Sequence, residues 1–206
     1  MKVLNLYAGI GGNRKLWKDV DVTAVEINPD IAKIYQDFFP DDKVIISDAH
    51  QYLLEHFKEF DFIWSSPPCP SHSDVRRMGV DIGQNDPLFP DMKLYEEIIF
   101  LKQFFKGKWV VENVKSYYKP LIKPNEIDRH YLWSNFHISK KNGFQYKGNI
   151  IKGGHTKELQ IAKDVSIDGY AIRNRRRDAV LRSYINPKLG RHVYNCAFKL
   201  EQKRLV

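Results

Sequence analysis

A glycine-rich turn directly after a buried apolar run constrains the fold of this chain more than any other feature. Residues 3–7 predict a short strand, residues 8–12 a glycine turn and residues 13–17 the start of a helix. This order lets a nucleotide-like ligand approach the backbone and use the free N–H groups of the helix start. Glycine clusters also occur in ordinary turns, so the elements that follow must decide between the two interpretations.

Two further predicted strands end in carboxylates. Residues 22–25 are followed by Glu26, which lies 17 residues after Gly9 and could accept hydrogen bonds from ribose hydroxyls. Residues 44–46 are followed by Asp48, which could accept a hydrogen bond from the exocyclic amine of a purine. Singly, each acid is typical of a surface cap. Two acids at successive strand ends after a glycine turn favour a nucleotide-like cofactor.

A cysteine stands on a proline-braced turn after the fourth predicted strand, residues 60–64. Pro67 and Pro68 fix their own φ angles and bias the residue before each to extended geometry, which holds the Cys69 thiol clear of the core. The carboxyl end of a strand is where ligands bind in an open α/β sheet. The alternative is a loop cysteine without a role.

The second half of the chain supplies a lid candidate and another acid. Residues 71–91 are polar and lack clear periodicity, which is typical of a functional loop such as a lid. A helix is predicted over residues 92–105 and a fifth strand over residues 108–111, which ends in Glu112 beside the presumed cleft. Residues 127–138 predict a strand pair.

The positive charge is concentrated late in the chain. Of the formal net charge of +8, residues 1–138 hold 17 Lys+Arg against 20 Asp+Glu, and residues 139–206 hold 16 against 5. A basic face this localised suits a polyphosphate partner, although a solvated basic tail has the same composition. Interleaved aromatic residues favour a folded basic lobe.

Composition also excludes several classes of protein. No apolar run approaches the ~20 residues of a membrane span, and residues 1–4 lead straight into a strand instead of a leader. Two cysteines cannot form a disulfide framework, and no CxxC pair suggests zinc. We therefore expect a soluble cytoplasmic protein, without a membrane partner or a metal, in a prokaryotic or phage-infected cell.

In combination, these motifs resemble the ordered signature of the cytosine-C5 DNA methyltransferases, in particular compact phage or prophage members of the kind found in restriction–modification. The resemblance rests on residues 7–12, Glu26, Asp48, Pro68-Cys69 with Ser73, residues 112–114 and residues 129–133. It implies an α/β Rossmann-like fold of S-adenosylmethionine-dependent methyltransferases, with a mostly parallel sheet, helices on both faces and a small basic recognition lobe.

The resemblance also implies a cofactor site, a catalytic set and a substrate set. The cofactor S-adenosylmethionine, with S-adenosylhomocysteine as product, would contact Tyr7, Ala8, Gly9, Gly11, Gly12, Glu26, Ile27, Asp48, Ala49, Pro68 and Leu88. Cys69, Glu112 and Arg129 would be catalytic, and Ser73, Arg76, Arg77 and Asn113 would bind double-stranded DNA.

The implied chemistry assigns a task to each catalytic group. Addition of a Cys69 thiolate to carbon 6 of a flipped-out cytosine makes carbon 5 nucleophilic, so Cys69 needs surroundings that favour the thiolate. Glu112, kept protonated by desolvation, would donate to ring N3, and Arg129 would hold the cytosine carbonyl or a phosphate.

Some positions depart from the family pattern. Asn5 stands where the family usually has Asp, Tyr131 replaces a second arginine, and Ser183 replaces an asparagine of the last motif. We expect a catalytic domain over 1–138, a reduced target-recognition segment over 139–172 and a C-terminal segment over 173–206 that packs back on it. So small a recognition segment predicts a relaxed target or an accessory recognition subunit, on a monomeric enzyme.

Three other functions are consistent with parts of the pattern. The same active site could act on tRNA, or a member that has lost turnover could only bind DNA or cofactor. A nicotinamide-type dehydrogenase could share the glycine turn, but it would leave the Pro-Pro-Cys turn and Glu112 without a role.

Overall fold

A computed structural model describes residues 1–144, 146, 156–172 and 174–198. Within these ranges one sheet of seven strands forms the centre of the protein. The strands are Lys2–Leu6 (β1), Asp21–Val25 (β2), Lys43–Ile45 (β3), Phe62–Ser65 (β4), Lys108–Val114 (β5), Asn125–Ile127 (β6) and His130–Ser134 (β7).

The sheet is mostly parallel, as predicted. The strand order is β3-β2-β1-β4-β5-β7-β6, in which β1 to β5 pair in parallel and β7 is antiparallel to both β5 and β6. The order reverses between β1 and β4, which is the switch point where open α/β sheets bind their ligands. The glycine turn leaves β1 and the Cys69 turn leaves β4, so both flank this crevice.

Helices cover both faces of the sheet, which confirms the predicted fold class. They are Pro29–Phe38 (α1), Ala49–His56 (α2), Asp74–Asp81 (α3), Lys93–Phe104 (α4), Thr156–Lys163 (α5), Asn174–Ser183 (α6) and Pro187–Phe198 (α7). None of the helices in the described ranges has the length and apolarity that a membrane crossing requires.

Alternation along the strands separates two apolar layers. On β4, Phe62 and Trp64 face a layer that contains Leu189 and Val193 of α7, and Ile63 faces the layer under α2 and α4. Side chains of successive strand residues point to opposite faces of a sheet, so one buried strand contributes to both layers. Together they form the core that holds the ends of β1, β4 and β5 in place.

The predicted helix at residues 13–17 is wrong. This segment consists of turns, closed by backbone hydrogen bonds such as that from Trp17 N to Arg14 O at 2.9 Å. Trp17 is turned into the core, where its Nε1 donates to Gly190 O of α7 at 3.1 Å and its ring stacks on Tyr194 at 5.7 Å. Because α7 packs directly against this stretch, the space that a crossover helix would need is filled.

Two segments without periodicity contain short helices. Ser73 caps α3 within the predicted lid of residues 71–91, and α5 lies within residues 139–172. Helices α5 and α6 bury Leu159, Val180 and Leu181 against Ile10 and Ile34. The boundaries of the three predicted segments stay a prediction, and residues 145, 147–155, 173 and 199–206 lie outside the described part of the chain.

Candidate active site

A hollow of about 510 Å³ opens at the switch point of the sheet. Its lining includes six of the predicted cofactor residues, together with Asp91 and Lys93, which sequence reasoning missed. The six are Tyr7, Glu26, Ile27, Asp48, Ala49 and Pro68. The ends of β1 to β4 therefore assemble one pocket from residues far apart in the chain.

Glu26 ties the second strand to the glycine turn. Its carboxylate accepts from Gly9 N at 3.1 Å and from Asn28 N at 2.9 Å, while Gly9 has the positive φ of +54° that the turn requires. Burial raises the pKa of Glu26, and the backbone donors oppose that rise. The carboxylate is therefore fixed at the rim of the hollow, where its remaining lone pairs can accept from hydroxyls.

Asp48 combines a cap with a position on the pocket wall. Its side chain accepts from Gln51 N at 3.0 Å and so begins α2, and this hydrogen bond lowers its pKa. Asp48 therefore remains an acceptor at neutral pH. The sequence presents the helix cap and the pocket position of Asp48 as alternatives, but in the structure Asp48 has both.

A buried carboxylate under the hollow was not predicted. Glu97 of α4 is fully buried and accepts from Tyr7 Oη at 2.6 Å and from Ser65 Oγ at 2.6 Å, with His50 Nδ1 at 3.1 Å. These bonds join β1, β4, α2 and α4 below the pocket. Helical spacing placed residue 97 on α4, but only the packing of four elements shows that it supports Tyr7.

Three other predicted cofactor residues face the protein itself. A Cβ on Gly12 would lie 2.3 Å from Ile185 O, and one on Gly11 would lie 2.2 Å from the Phe39 ring, so these glycines admit neighbouring elements. Ala8 is buried in a cluster with Ala24 and Tyr35. The close approach that glycine allows here is made by the chain's own segments.

Asn5, which departs from the family pattern, is paired with a second buried asparagine. Its side chain exchanges hydrogen bonds with that of Asn13, at 2.7 Å and 3.5 Å, and both residues are buried. The pair ties the glycine turn to β1.

Leu88 lies at a second hollow, of about 340 Å³, and not at the first. The predicted substrate residues Ser73, Arg76 and Arg77 line this second hollow with it. Arg77 forms an ion pair with Asp81 at 2.9 Å and lies 5.7 Å from the centre of the Tyr117 ring. Three of the predicted substrate residues thus line the second hollow, together with Tyr117, which was not predicted.

Cys69 lies between the two hollows. Pro68 lines the first and Pro70 the second, while the Cys69 carbonyl accepts from His72 N and Ser73 N at 3.0 Å each. Burial, together with the negative charge of Glu112, raises the pKa of Cys69 to about 11. The expectation that these surroundings favour the thiolate is wrong, because the protein alone holds the group as a thiol.

Asn113 braces the cysteine turn. Its Nδ2 donates to Pro67 O at 3.0 Å, its Oδ1 accepts from Val114 N at 3.0 Å, and the side chain is buried. A brace between β5 and the turn fixes Cys69 relative to Glu112, although we predicted a substrate contact for this residue.

Glu112 is paired with a histidine. Its Oε1 lies 2.6 Å from Nδ1 of His130, and the carboxyl is only 5% exposed. Arg129, the predicted catalytic arginine, is exposed in the turn directly before β7. Burial of Lys163, and after it the positive charge of Arg129, lowers the pKa of Lys163 to about 8. Arg129 thus acts on the charge of Lys163 in α5, and His130 is the hydrogen-bond partner of Glu112 that sequence reasoning missed.

The described residues contain no group of three His, Cys, Asp or Glu side chains that could hold a metal ion.

The strand order, the glycine turn with Glu26 and the pocket at the switch point define a Rossmann-like methyltransferase fold. The family model of the C-5 cytosine-specific DNA methylases matches residues 1–130, and the chain belongs to this family.

The chain is also similar to solved and curated proteins. The structure of the Entamoeba histolytica methyltransferase EhMeth superposes with a TM-score of 0.56 over 98% of both chains, at 12% identity, which supports the fold. A tRNA (cytosine(38)-C(5))-methyltransferase of Spodoptera frugiperda is 31% identical over 136 residues, and the human enzyme of that name is 29% identical over 86 residues. The chain spans 40% and 22% of the length of these two relatives.

Proposed function

We propose that the protein transfers a methyl group from S-adenosylmethionine to carbon 5 of a cytosine in double-stranded DNA. The observation that carries this proposal is the position of Cys69 between two hollows, with Glu112 close enough to raise the pKa of the thiol. A nucleophile that must meet both a methyl donor and a base requires an opening on either side.

The first hollow fits the proposed cofactor. Glu26 offers a fixed carboxylate to ribose hydroxyls, and the exposed Ile27 offers an apolar surface to a purine ring. The acids Asp48 and Asp91 at the same wall complement a cationic ligand. Bound here, S-adenosylmethionine would supply an electrophilic methyl group opposite the cysteine turn.

The chain's own groups would prepare the base for that methyl group. Cys69 would add to carbon 6 of cytosine, which makes carbon 5 nucleophilic, as in other covalent catalysis. Because the resting thiol is protonated, its proton must leave as the bond forms, and Glu112 is the adjacent group that can handle a proton. After methyl transfer and loss of the carbon 5 proton, elimination of Cys69 completes the cycle.

The base must leave its stack to reach Cys69. Flipping costs a few kcal/mol. We assign the closure over the flipped base to residues 71–91, which carry α3 and the two arginines of the second hollow. The basic excess of residues 139–206 would bind the phosphate backbone. A monomer with a relaxed target, or one helped by a recognition subunit, is consistent with the small segment 139–172.

tRNA is the second candidate substrate, because both curated relatives carry tRNA cytosine methylation in their names. The deciding experiment measures transfer of a tritiated methyl group to duplex DNA and to unmodified tRNA, each with the other as unlabelled competitor. The Cys69→Ser variant is the control for activity from contaminants. Incorporation into tRNA alone would identify tRNA, and not DNA, as the substrate. Binding without incorporation into either would indicate a non-catalytic member of the family.

A further inference from the structure

The register of β5 and β7 brings His130 onto Glu112. Glu112 is paired with Leu132 and Val114 with His130, so Glu112 and His130 are diagonal neighbours on one face of the antiparallel pair. The 2.6 Å contact between Nδ1 and Oε1 is a short, well-placed hydrogen bond. It engages one carboxylate oxygen and leaves Oε2 as the oxygen that can serve a ligand.

The surroundings of this pair limit which groups can influence it. From β5 the charged group is Glu112 itself, and from the turn after β4 the titratable group is Cys69. From β6 the residue paired with His130 is the uncharged Ile127. His130 is partly exposed at 23%, whereas Glu112 is buried, so the histidine closes the outer side of the carboxyl.

We propose that His130 is a positioning residue, which holds Oε1 of Glu112 so that Oε2 accepts the proton of Cys69 and delivers it to cytosine N3. The inference rests on the proposed function and assigns Glu112 a carboxylate resting state instead of a protonated one. It needs no external proton source, because the proton that the thiol loses is the one that the ring gains.

The step balances. The S–H bond breaks and an S–C6 bond forms, while the C5=C6 π pair becomes a C4=C5 bond. The C4=N3 π pair moves onto N3, which takes the proton from Oε2. Glu112 returns to the carboxylate, and His130 keeps its own proton throughout. The product of the step is an enamine with a nucleophilic carbon 5, as methyl transfer requires.

The test compares His130→Asn with His130→Ala. The Asn amide reproduces a donor near the position of Nδ1 without a titratable ring, and alanine removes it. His137→Asn is the matched control, since His137 is exposed and lies three residues after β7. Folding is checked by circular dichroism, and cofactor affinity by calorimetry with S-adenosylmethionine.

Two rates are measured on cytosine substrates. One is methyl transfer, and the other is exchange of tritium from carbon 5 without methyl donor, which requires thiol addition, proton exchange at carbon 5 and elimination but no methyl transfer. We expect His130→Ala to lower kcat and the exchange rate by about ten- to a hundredfold at unchanged cofactor affinity. His130→Asn should recover both to within a few-fold of wild type.

Three outcomes would overturn the inference. They are wild-type rates in His130→Ala, an Asn variant as slow as the Ala variant, and a loss of methyl transfer with normal exchange. A wild-type protein that methylates neither DNA nor tRNA would instead refute the proposed function, so the two failures are distinguishable.

Discussion

At the scale of single residues, the candidate active site contains a thiol, Cys69, whose pKa the protein raises to about 11. The turn at Cys69 is braced by Asn113 and lies beside the buried Glu112, and both burial and that charge oppose the thiolate. Reactivity must therefore arise together with a bound base, which can take up the proton. This arrangement protects the cysteine from unproductive alkylation and oxidation while the site is open.

Replacement of Cys69 by serine should abolish methyl transfer and leave cofactor binding intact. Serine is a much weaker nucleophile toward carbon 6, so we expect kcat below about a thousandth of the wild-type value. Calorimetry with S-adenosylmethionine should give an unchanged affinity, because the Cys69 side chain is not on the lining of the first hollow. Near-normal turnover in this variant would exclude covalent catalysis.

The two cysteines should differ in their reaction with iodoacetamide. The pKa of Cys69 is raised to about 11, so its thiolate fraction should grow about tenfold per pH unit from pH 7 to 10. For Cys196, burial is outweighed by hydrogen bonds from His192 and Ser139, which lower its pKa. Mass spectrometry of Cys69→Ser and Cys196→Ser should find Cys196 alkylated faster at pH 8. Fast, pH-independent alkylation of Cys69 would contradict this assignment.

At the scale of elements, most strand ends could be predicted and the contacts between elements could not. Apolar runs followed by Glu26, Asp48 and Cys69 placed each group after the carboxyl end of a strand, because the pattern of each strand is local. The predicted end of the fifth strand at residue 111 is wrong, since β5 continues to Val114 and Glu112 lies within it. The pairing of Glu112 with His130 depends on strand register, and Leu88 depends on the path of residues 71–91.

The missing crossover helix has the same explanation. Residues 13–17 have helical character in isolation, but α7 occupies the adjacent space and Trp17 gains a hydrogen bond and a ring stack there. Tertiary packing overrides local propensity where a distant element arrives. Sequence periodicity does not show that a helix from a distant part of the chain packs against this segment.

The contact between α7 and the glycine turn should be sensitive to one methyl group. A Cβ on Gly190 would lie 2.2 Å from Asn13 O, so Gly190→Ala should lower the free energy of unfolding by about 1–3 kcal/mol. In an unpacked helix the same change would stabilise by about 1 kcal/mol, so the sign is diagnostic. Urea denaturation gives the value. Lys188→Ala, at an exposed position on α7, should change it little, and a stabilised Gly190→Ala would contradict the close contact.

At the scale of the whole molecule, charge is divided along the chain. Residues 1–138 are slightly acidic and carry the first hollow, while residues 139–206 carry a large basic excess. Helices α5 and α6 pack on α1 beside the glycine turn, which brings basic side chains to the neighbourhood of the crevice.

Nucleic-acid affinity should therefore depend on salt through the late basic residues. The double variant Arg182→Gln/Lys188→Gln should weaken binding of duplex DNA and reduce the slope of log Kd against log salt by about 1 per lost phosphate contact. Fluorescence anisotropy at several salt concentrations measures the slope. Lys58→Gln, in the 3-10 turn Phe57–Glu59 after α2 in the acidic part, should leave the slope unchanged. Equal slopes in the wild type, the double variant and Lys58→Gln would show that other residues contact the phosphates.

The hydrogen bond between Trp17 and Gly190 spans 173 positions of the chain. During synthesis, the glycine turn would emerge early and wait for α7 before its packing is finished. Contacts of such long sequence separation form late and slow the folding of a domain. A nascent chain halted before α7 should thus expose Trp17 and an unfinished glycine turn, and this packing would be completed only as that helix docks.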